Sequence, residues 1–289
     1  MADLGFDGKV AIITGAGGGL GREHALLLAS RGAQVVVNDL GGSVHGEGGS
    51  AGPAEMVAKE IGNLGGEAVA DTNSVATPEG GAAIVQTALD AFGRIDIVVN
   101  NAGILRDKTF HNMEPDMVNA VLDVHLKAAF WVTKPAWLKM REQNYGRIIN
   151  TSSNSGILGN FGQSNYGAAK MGLVGFTHVL AQEGAKYNIK TNAVAPIAAT
   201  RMTEDILPKE VLEKLTPEYV APVVAYLCTE EVPESAAVFI VGGGKVQRAA
   251  LFQTDGVAFD HVPSVDEIAG KWGEITDISA AQPATFSLR

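Results

Sequence analysis

Three residues in the middle of the chain have the types and the spacing for proton chemistry on an alcohol. Tyr166 and Lys170 stand four apart in Tyr-Gly-Ala-Ala-Lys, which puts both on one face of a helix. A free tyrosine has a pKa near 10, so only about one phenol in a thousand is ionised at neutral pH. Lowering that pKa by about three units takes roughly 4 kcal/mol of selective stabilisation of the phenolate. A neighbouring ammonium is one source, and a phenolate so formed can take the proton of an alcohol while a hydride leaves. Ser153 lies just beyond an apolar run, and its hydroxyl can hold the substrate oxygen. A Tyr-x-x-x-Lys pair alone is equally a surface pair on a helix, so the position of the serine gives it weight. Ser152 and Ser155 are neighbours of the same type, and the sequence does not separate them from Ser153.

A second cluster lies near the N-terminus. Thr14-Gly-Ala-Gly-Gly-Gly-Leu-Gly21 follows a strand-like run and opens a helical one. Glycines there let the backbone approach a pyrophosphate, and the helix N-terminus offers free N–H groups and a favourable dipole. The order strand, glycines, helix is what that mechanism requires. Asp39 ends the next strand-like run. A carboxylate there can accept hydrogen bonds from adenosine ribose hydroxyls and repel the extra phosphate of NADP, which points to NAD. The plain alternative is an aspartate at a strand end in solvent. An oxidised nicotinamide would bring a second positive charge to Tyr166.

The elements that must position these groups alternate. Strands are expected at Lys9–Thr14, Gln34–Asp39, Glu67–Asp71, Arg94–Asn100, Arg147–Ser152, Lys190–Ala195 and Val238–Val241. Helices are expected at Leu20–Arg31, Pro53–Leu64, Pro78–Phe92, Ser164–Lys186 and, as one long stretch, Glu114–Arg141. Near-continuous apolar strands between helices imply a parallel sheet covered on both faces. The expected fold is therefore α/β, a Rossmann-type doubly wound parallel sheet of about seven strands. It occupies residues 1–245 as a single domain, with 246–289 a C-terminal extension packed on it. In that extension Phe252–Phe259 reads as a short hairpin and Val265–Ile275 as a short helix. The glycine-rich loop over residues 40–52 is either a flexible insertion or a cover over the adenosine end of a cofactor.

Composition narrows the partners. A formal net charge of −10 argues against a general nucleic-acid or anionic-membrane surface, while leaving room for a local basic pocket. The single cysteine, Cys228, excludes a four-cysteine zinc site and an intrachain disulfide, and no metal is expected. No secretory pattern or long apolar run is read, so a cytoplasmic protein is expected.

Taken together, Thr14–Gly21, Asn100-Asn-Ala-Gly103, Ser153, and Tyr166 with Lys170 resemble the short-chain dehydrogenases over roughly residues 6–245. The resemblance implies a catalytic set of Ser153, Tyr166 and Lys170. It implies cofactor contacts from Gly15, Gly19, Leu20, Gly21 and Asp39, from Asn73 and Ser74, from Asn100, Ala102 and Gly103, from Tyr166 and Lys170, and from Pro196, Ile197 and Thr200. Gly18 stands where NADP-using members often carry arginine, which also favours NAD. Two departures stand out. His125, in Val-His-Leu, replaces an asparagine that supports a proton-relay water, and its ring can donate or accept there. Pro196-Ile197 replaces Pro-Gly.

A narrower resemblance rests on Val37-Asn-Asp-Leu-Gly-Gly with its long loop, Asn101-Ala-Gly-Ile-Leu-Arg-Asp107, Val124-His-Leu126, Gly159-Asn-Phe-Gly-Gln163, Thr200-Arg-Met-Thr203 and Pro217–Pro222. These are similar to the (3R)-hydroxyacyl-CoA dehydrogenase domains of peroxisomal multifunctional enzymes type 2, also called 17β-hydroxysteroid dehydrogenase type 4. The implied reaction is NAD-dependent oxidation of a (3R)-hydroxyacyl-CoA, with Arg106, Lys108, Arg201, Lys245 and Arg248 as candidate cations for the acyl-CoA phosphates. A 17β-hydroxysteroid dehydrogenase, an NADP-dependent 3-oxoacyl reductase and a non-catalytic NAD-binding regulator are the alternatives. A homodimer or homotetramer is implied, with any hydratase a separate chain.

Overall fold

The computed structural model describes residues 4–198 and 214–284. The chain divides into two compact units, Met1–Gln247 and Arg248–Arg289.

The first unit is built on the expected alternation. In order come β1 (Val10–Thr14), α1 (Gly19–Ser30), β2 (Gln34–Asn38), α2 (Gly52–Asn63), β3 (Glu67–Asp71), α3 (Pro78–Phe92) and β4 (Ile97–Asn100). Then follow α4 (Pro115–Leu122), α5 (Ala128–Gln143), β5 (Gly146–Thr151), α6 (Asn154–Ile157), α7 (Ser164–Gly184), β6 (Ile189–Pro196), α8 (Ala221–Leu227), β7 (Val238–Gly242) and β8 (Lys245–Ala249). Every residue of β1 is buried because alternate side chains feed opposite faces. Ala11 and Ile13 pack with Leu28, Val57, Ile61 and Val224 on one side. Val10 and Ile12 pack with Ile84, Val132, Met140 and Ile148 on the other. Both faces are covered, which is why these strands read as unbroken apolar runs.

The sheet order is β3-β2-β1-β4-β5-β6-β7-β8, and the pairs from β3 to β7 are parallel. The chain winds outward from β1 in one direction and from β4 in the other. That reversal opens a crevice at the carboxyl ends of β1 and β4, where ligands of such sheets bind. The sheet has one strand more than expected. Gly243 and Gly244, with φ of +55° and +77°, form a two-residue turn that sends β8 back beside β7.

Glu114–Arg141 is not one regular helix. A single π turn at Asp123–Lys127 separates α4 from α5. Such an insertion turns the following side chains relative to those before it, and His125 lies within it.

In the second unit, α9 (Val265–Thr276) starts at a capping box, in which Ser264 and Glu267 satisfy each other's backbone N–H. The expected hairpin over Phe252–Phe259 does not form. Phe252–Gln253 pairs antiparallel with Gln282–Pro283, because Pro263 and the Ser264 cap commit the intervening chain to helix entry and the return strand comes from beyond α9. Among the described residues no helix is long and apolar enough to cross a membrane.

Candidate active site

The crevice is closed at its base by Thr14, the last residue of β1. Its Oγ1 accepts from Asn101 N at 3.0 Å and Ala102 N at 3.1 Å. Asn101 Nδ2 donates in return to Thr14 O and Gly15 O, at 3.0 and 3.2 Å. The two strand ends are thus tied together, and only glycine fits between them. A Cβ on Gly15 would lie 2.8 Å from Ala102 Cα, and one on Gly21 would lie 2.2 Å from Gly15 O. Helix α1 begins with no side-chain cap and no acidic residue in its first turn. Its leading N–H groups are therefore free for an anion. This cradle fits the diphosphate of a dinucleotide.

Asp39 has a second task that the sequence did not announce. Its Oδ2 accepts from Gly17 N at 2.8 Å and its Oδ1 from Gly41 N at 2.7 Å, so it braces the phosphate loop itself. Asn73 donates through its side chain to Asp71 Oδ2 at 2.8 Å, and Ser74 Oγ accepts from Ala76 N. The Asn100 amide donates to Thr133 Oγ1 and Asn150 Oδ1, and Asn150 donates to Thr177 Oγ1. Leu20 packs against the core, and Ile197 N donates to Val241 O at 2.8 Å. Thr200 and Arg201 lie outside the described residues.

The loop over residues 40–52 reaches the segment after β4. Leu105 N donates to Val44 O, and Arg106 Nε donates to His45 O at 2.8 Å. The Arg106 guanidinium also lies 3.6 Å from Glu47. Arg106, one of the candidate cations for a CoA phosphate, is engaged by this loop, which turns a carbonyl and a carboxylate toward it. Lys108, Lys245 and Arg248 are exposed, the last two on β8.

The catalytic candidates meet at the carboxyl end of β5. Ser153 caps α6 and accepts from Ser155 N at 3.1 Å, and its hydroxyl favours ionisation of the Tyr166 phenol. Ser152 is buried and donates to Lys170 O at 2.8 Å. That sets Ser152 apart from Ser153, whose hydroxyl acts on the Tyr166 phenol. The Lys170 ammonium is buried, donates to Thr151 O at 2.5 Å, and lies 5.4 Å from the Tyr166 ring centre.

The electrostatics differ from the expectation. Burial pushes Lys170 down from 10.5 to about 7. Burial also pushes the Tyr166 phenol up, the Ser153 hydrogen bond pulls it down, and the charge of Asp107 adds to the rise. The depressed phenol expected from the sequence drew on the ammonium and an oxidised nicotinamide together; in the cofactor-free chain the loss of water around the phenol dominates.

His125 is buried edge-on to Tyr166, with ring centres 5.1 Å apart at 85°. Its Nε2 meets both Ile104 N at 3.0 Å and Ile104 O at 2.8 Å. Burial holds it well below its usual pKa, hence neutral. Its Nδ1 has no partner. A cavity of about 10 Å³ between the strands and α5 is lined by Thr14, Asn100, His125 and Lys170 among others. A Cβ on Gly103 would stand 2.4 Å from His125 Cε1. Gly103→Ala should therefore displace the ring and with it Tyr166, lowering kcat at least about tenfold, since misplacements near 1 Å are that costly. Steady-state kinetics check this; a wild-type kcat would mean that the ring position does not matter.

The chain matches the short chain dehydrogenase family over residues 9–211. A protein of Mycobacterium tuberculosis, named only as a short-chain type dehydrogenase/reductase, is 61% identical over 284 residues, covering 98% of this chain and 99% of its own length. Peroxisomal multifunctional enzyme type 2 of Drosophila melanogaster is 49% identical over 283 residues, covering 96% of this chain but 47% of that enzyme. Its full-length structure superposes with a TM-score of 0.83 at 41% identity, over 98% of this chain and 48% of that one. A hydroxyacyl-CoA dehydrogenase of Mycobacterium tuberculosis is 36% identical over 280 residues, covering 88% of this chain and 86% of its own length. A 7α-hydroxysteroid dehydrogenase solved with NADH has a TM-score of 0.75 at 28% identity, over 84% of this chain and 96% of that one. The chain belongs to the short-chain dehydrogenase family and is an oxidoreductase that uses a nicotinamide cofactor.

Proposed function

We propose that this chain is a cytoplasmic, homodimeric or homotetrameric enzyme that oxidises a (3R)-hydroxyacyl-CoA to the 3-oxoacyl-CoA, with NAD as hydride acceptor. The observation that carries the chemistry is the meeting of Ser153, Tyr166 and Lys170, with the serine hydroxyl acting on the phenol and the ammonium 5.4 Å from the ring. The hydroxyacyl-CoA dehydrogenase relative and the high identity to the multifunctional enzyme support the substrate class.

The free N–H groups at the start of α1, beside the Gly15–Gly21 loop, would hold the diphosphate. Asp39 takes the adenosine ribose hydroxyls. Asn73, Ser74, Asn100, Ala102 and Gly103 flank the adenosine half. Lys170 takes the nicotinamide ribose, and Pro196, Ile197 and Thr200 the carboxamide. A bound nicotinamide would supply the hydride acceptor and, in its oxidised form, a positive charge near the phenol. Ser153 Oγ holds the substrate oxygen, and Tyr166 Oη takes the hydroxyl proton as the alcohol becomes a ketone. Lys170 Nζ and the unpartnered His125 Nδ1 frame the small cavity, which has room for about one water to carry that proton away.

Asp39→Ala should narrow the preference for NAD over NADP. It should also lower kcat/KM with NAD at least about tenfold, because charge-assisted bonds to Gly17 and Gly41 are lost with the ribose acceptor. Equal use of both cofactors by the wild type would overturn the NAD assignment. The substrate is tested by comparing rates on (3R)- and (3S)-hydroxyacyl-CoA thioesters and a 17β-hydroxysteroid under the same conditions. The (3R) thioester should be fastest; a faster (3S) thioester or steroid rejects the substrate class while leaving Tyr166 in place.

A further inference from the structure

The segment that leaves β4 is stitched to the head of the catalytic helix. Lys108 N donates to Gly162 O at 2.9 Å, and Lys108 and Gln163 form a parallel bridge. Asn165 Nδ2 donates to Arg106 O at 3.0 Å and to Met117 O at 3.2 Å. Gln163, buried and immediately before α7, donates through Nε2 to Asp107 Oδ2 at 2.6 Å. Tyr166 is the third residue of α7, and its N–H donates to Asn165 Oδ1 at 2.7 Å. Asp107 is thus held by the residue that starts the helix carrying the phenol, and its other side keeps contact with solvent.

We infer that Asp107 is a positioning residue for Tyr166: its carboxylate clamps Gln163 at the head of α7 and presents a fixed negative charge to the phenol. Among the described residues, the other polar groups facing that phenol are Ser153, Lys170 and His125. Ser153 is neutral, and burial keeps His125 neutral as well. Lys170, with a pKa lowered to about 7, is the one cation among them. Asp107 opposes it and raises the proton affinity of Tyr166. Its own carboxyl is pushed up by burial and pulled down by the Gln163 hydrogen bond. The consequence is a tyrosine kept as an acid until a positive charge is brought beside it, so that the same residue serves both directions of the reaction.

This inference rests on Tyr166 being the acid/base, and the test separates the two. Asp107→Asn removes the charge and keeps the shape; Asp107→Glu keeps the charge. Thermal melts establish that each variant is folded. Phenolate absorbance is titrated in the cofactor-free proteins, with Tyr166→Phe as the blank, and the pH profile of kcat/KM for oxidation is recorded alongside. Asp107→Asn should move both the Tyr166 ionisation and the acidic limb of the profile to lower pH by at least about 0.3 unit at low ionic strength. The shift should shrink in salt, and Asp107→Glu should bring both back toward the wild-type position. Superimposable midpoints for Asp107→Asn and wild type, or lost turnover with an unmoved midpoint, overturn the inference. If Tyr166→Phe keeps its activity, the acid/base reading fails instead, and the absorbance titration still reports whether Asp107 acts on that phenol.

Discussion

Tyr166→Phe is expected to bind NAD within a few-fold of the wild type and to turn over at least about 100-fold more slowly, the low end for loss of a general acid–base. The substitution removes one oxygen. It leaves the Gly15–Gly21 cradle, Asp39 and the Thr14–Asn101 ties untouched, because none of these contacts the phenol. The ring itself remains edge-on to His125. The expected signature is therefore a fall in kcat with little change in cofactor affinity, measured by steady-state kinetics and cofactor titration. Retention of more than about a tenth of the wild-type turnover would place the proton chemistry on another group.

Lys170→Met is expected to lower turnover by about 100-fold or more and to stabilise the cofactor-free protein at neutral pH. The first effect follows from removing the cation that faces Tyr166. The second follows from linkage. The ordinary lysine value is 10.5 and the buried Lys170 titrates at about 7. Between those values the unfolded chain holds a proton that the folded chain does not. The stability associated with Lys170 is thus fully present above the unfolded value and is lost as pH falls toward the folded one. Methionine carries no such penalty, so the variant should melt higher than the wild type by about 5 °C near pH 7, with the gap closing as pH rises toward about 10. Melting curves across that range decide it. A variant that melts lower at neutral pH, with no pH dependence in the difference, would mean that the Thr151 hydrogen bond matters more than the cost of burying the charge.

Much of this arrangement was readable from the residues because it is local. The phosphate loop is a run of glycines between a strand and a helix, and every part of that signal lies within eight residues of sequence. Tyr166 and Lys170 share a helix face by spacing alone. The strands β1, β2 and β4 announced themselves because both of their faces are buried, so that their sequences are almost wholly apolar.

What escaped has a common cause in contacts between distant segments. Asn150 joins Asn100 to Thr177 across separations of 50 and 27 residues, and neither asparagine has a flanking pattern that names its partner. The π turn at Asp123–Lys127 keeps the helical periodicity on either side, so a window over Glu114–Arg141 reads as continuous. The near contact of Gly103 with the His125 ring could be guessed from a glycine after a strand, but not aimed at a particular residue. Nothing in the spacing around Arg106 and Asp107 names their partners, and only the fold brings the one to the loop over residues 40–52 and the other to Gln163. The direction of the Tyr166 shift depends on how much water the fold removes, a quantity that spacing does not carry. The return strand at Gln282–Pro283 is two residues long, too short for any alternation to show.

The most direct measurement is a single turnover of the wild type with NAD and a (3R)-hydroxyacyl-CoA carrying deuterium on carbon 3. The label should appear on the nicotinamide of NADH, 3-oxoacyl-CoA should form in equal amount, and Tyr166→Phe should slow both by at least about 100-fold. Formation of 3-oxoacyl-CoA without transfer of the label, or equal transfer from the (3S) isomer, would contradict it.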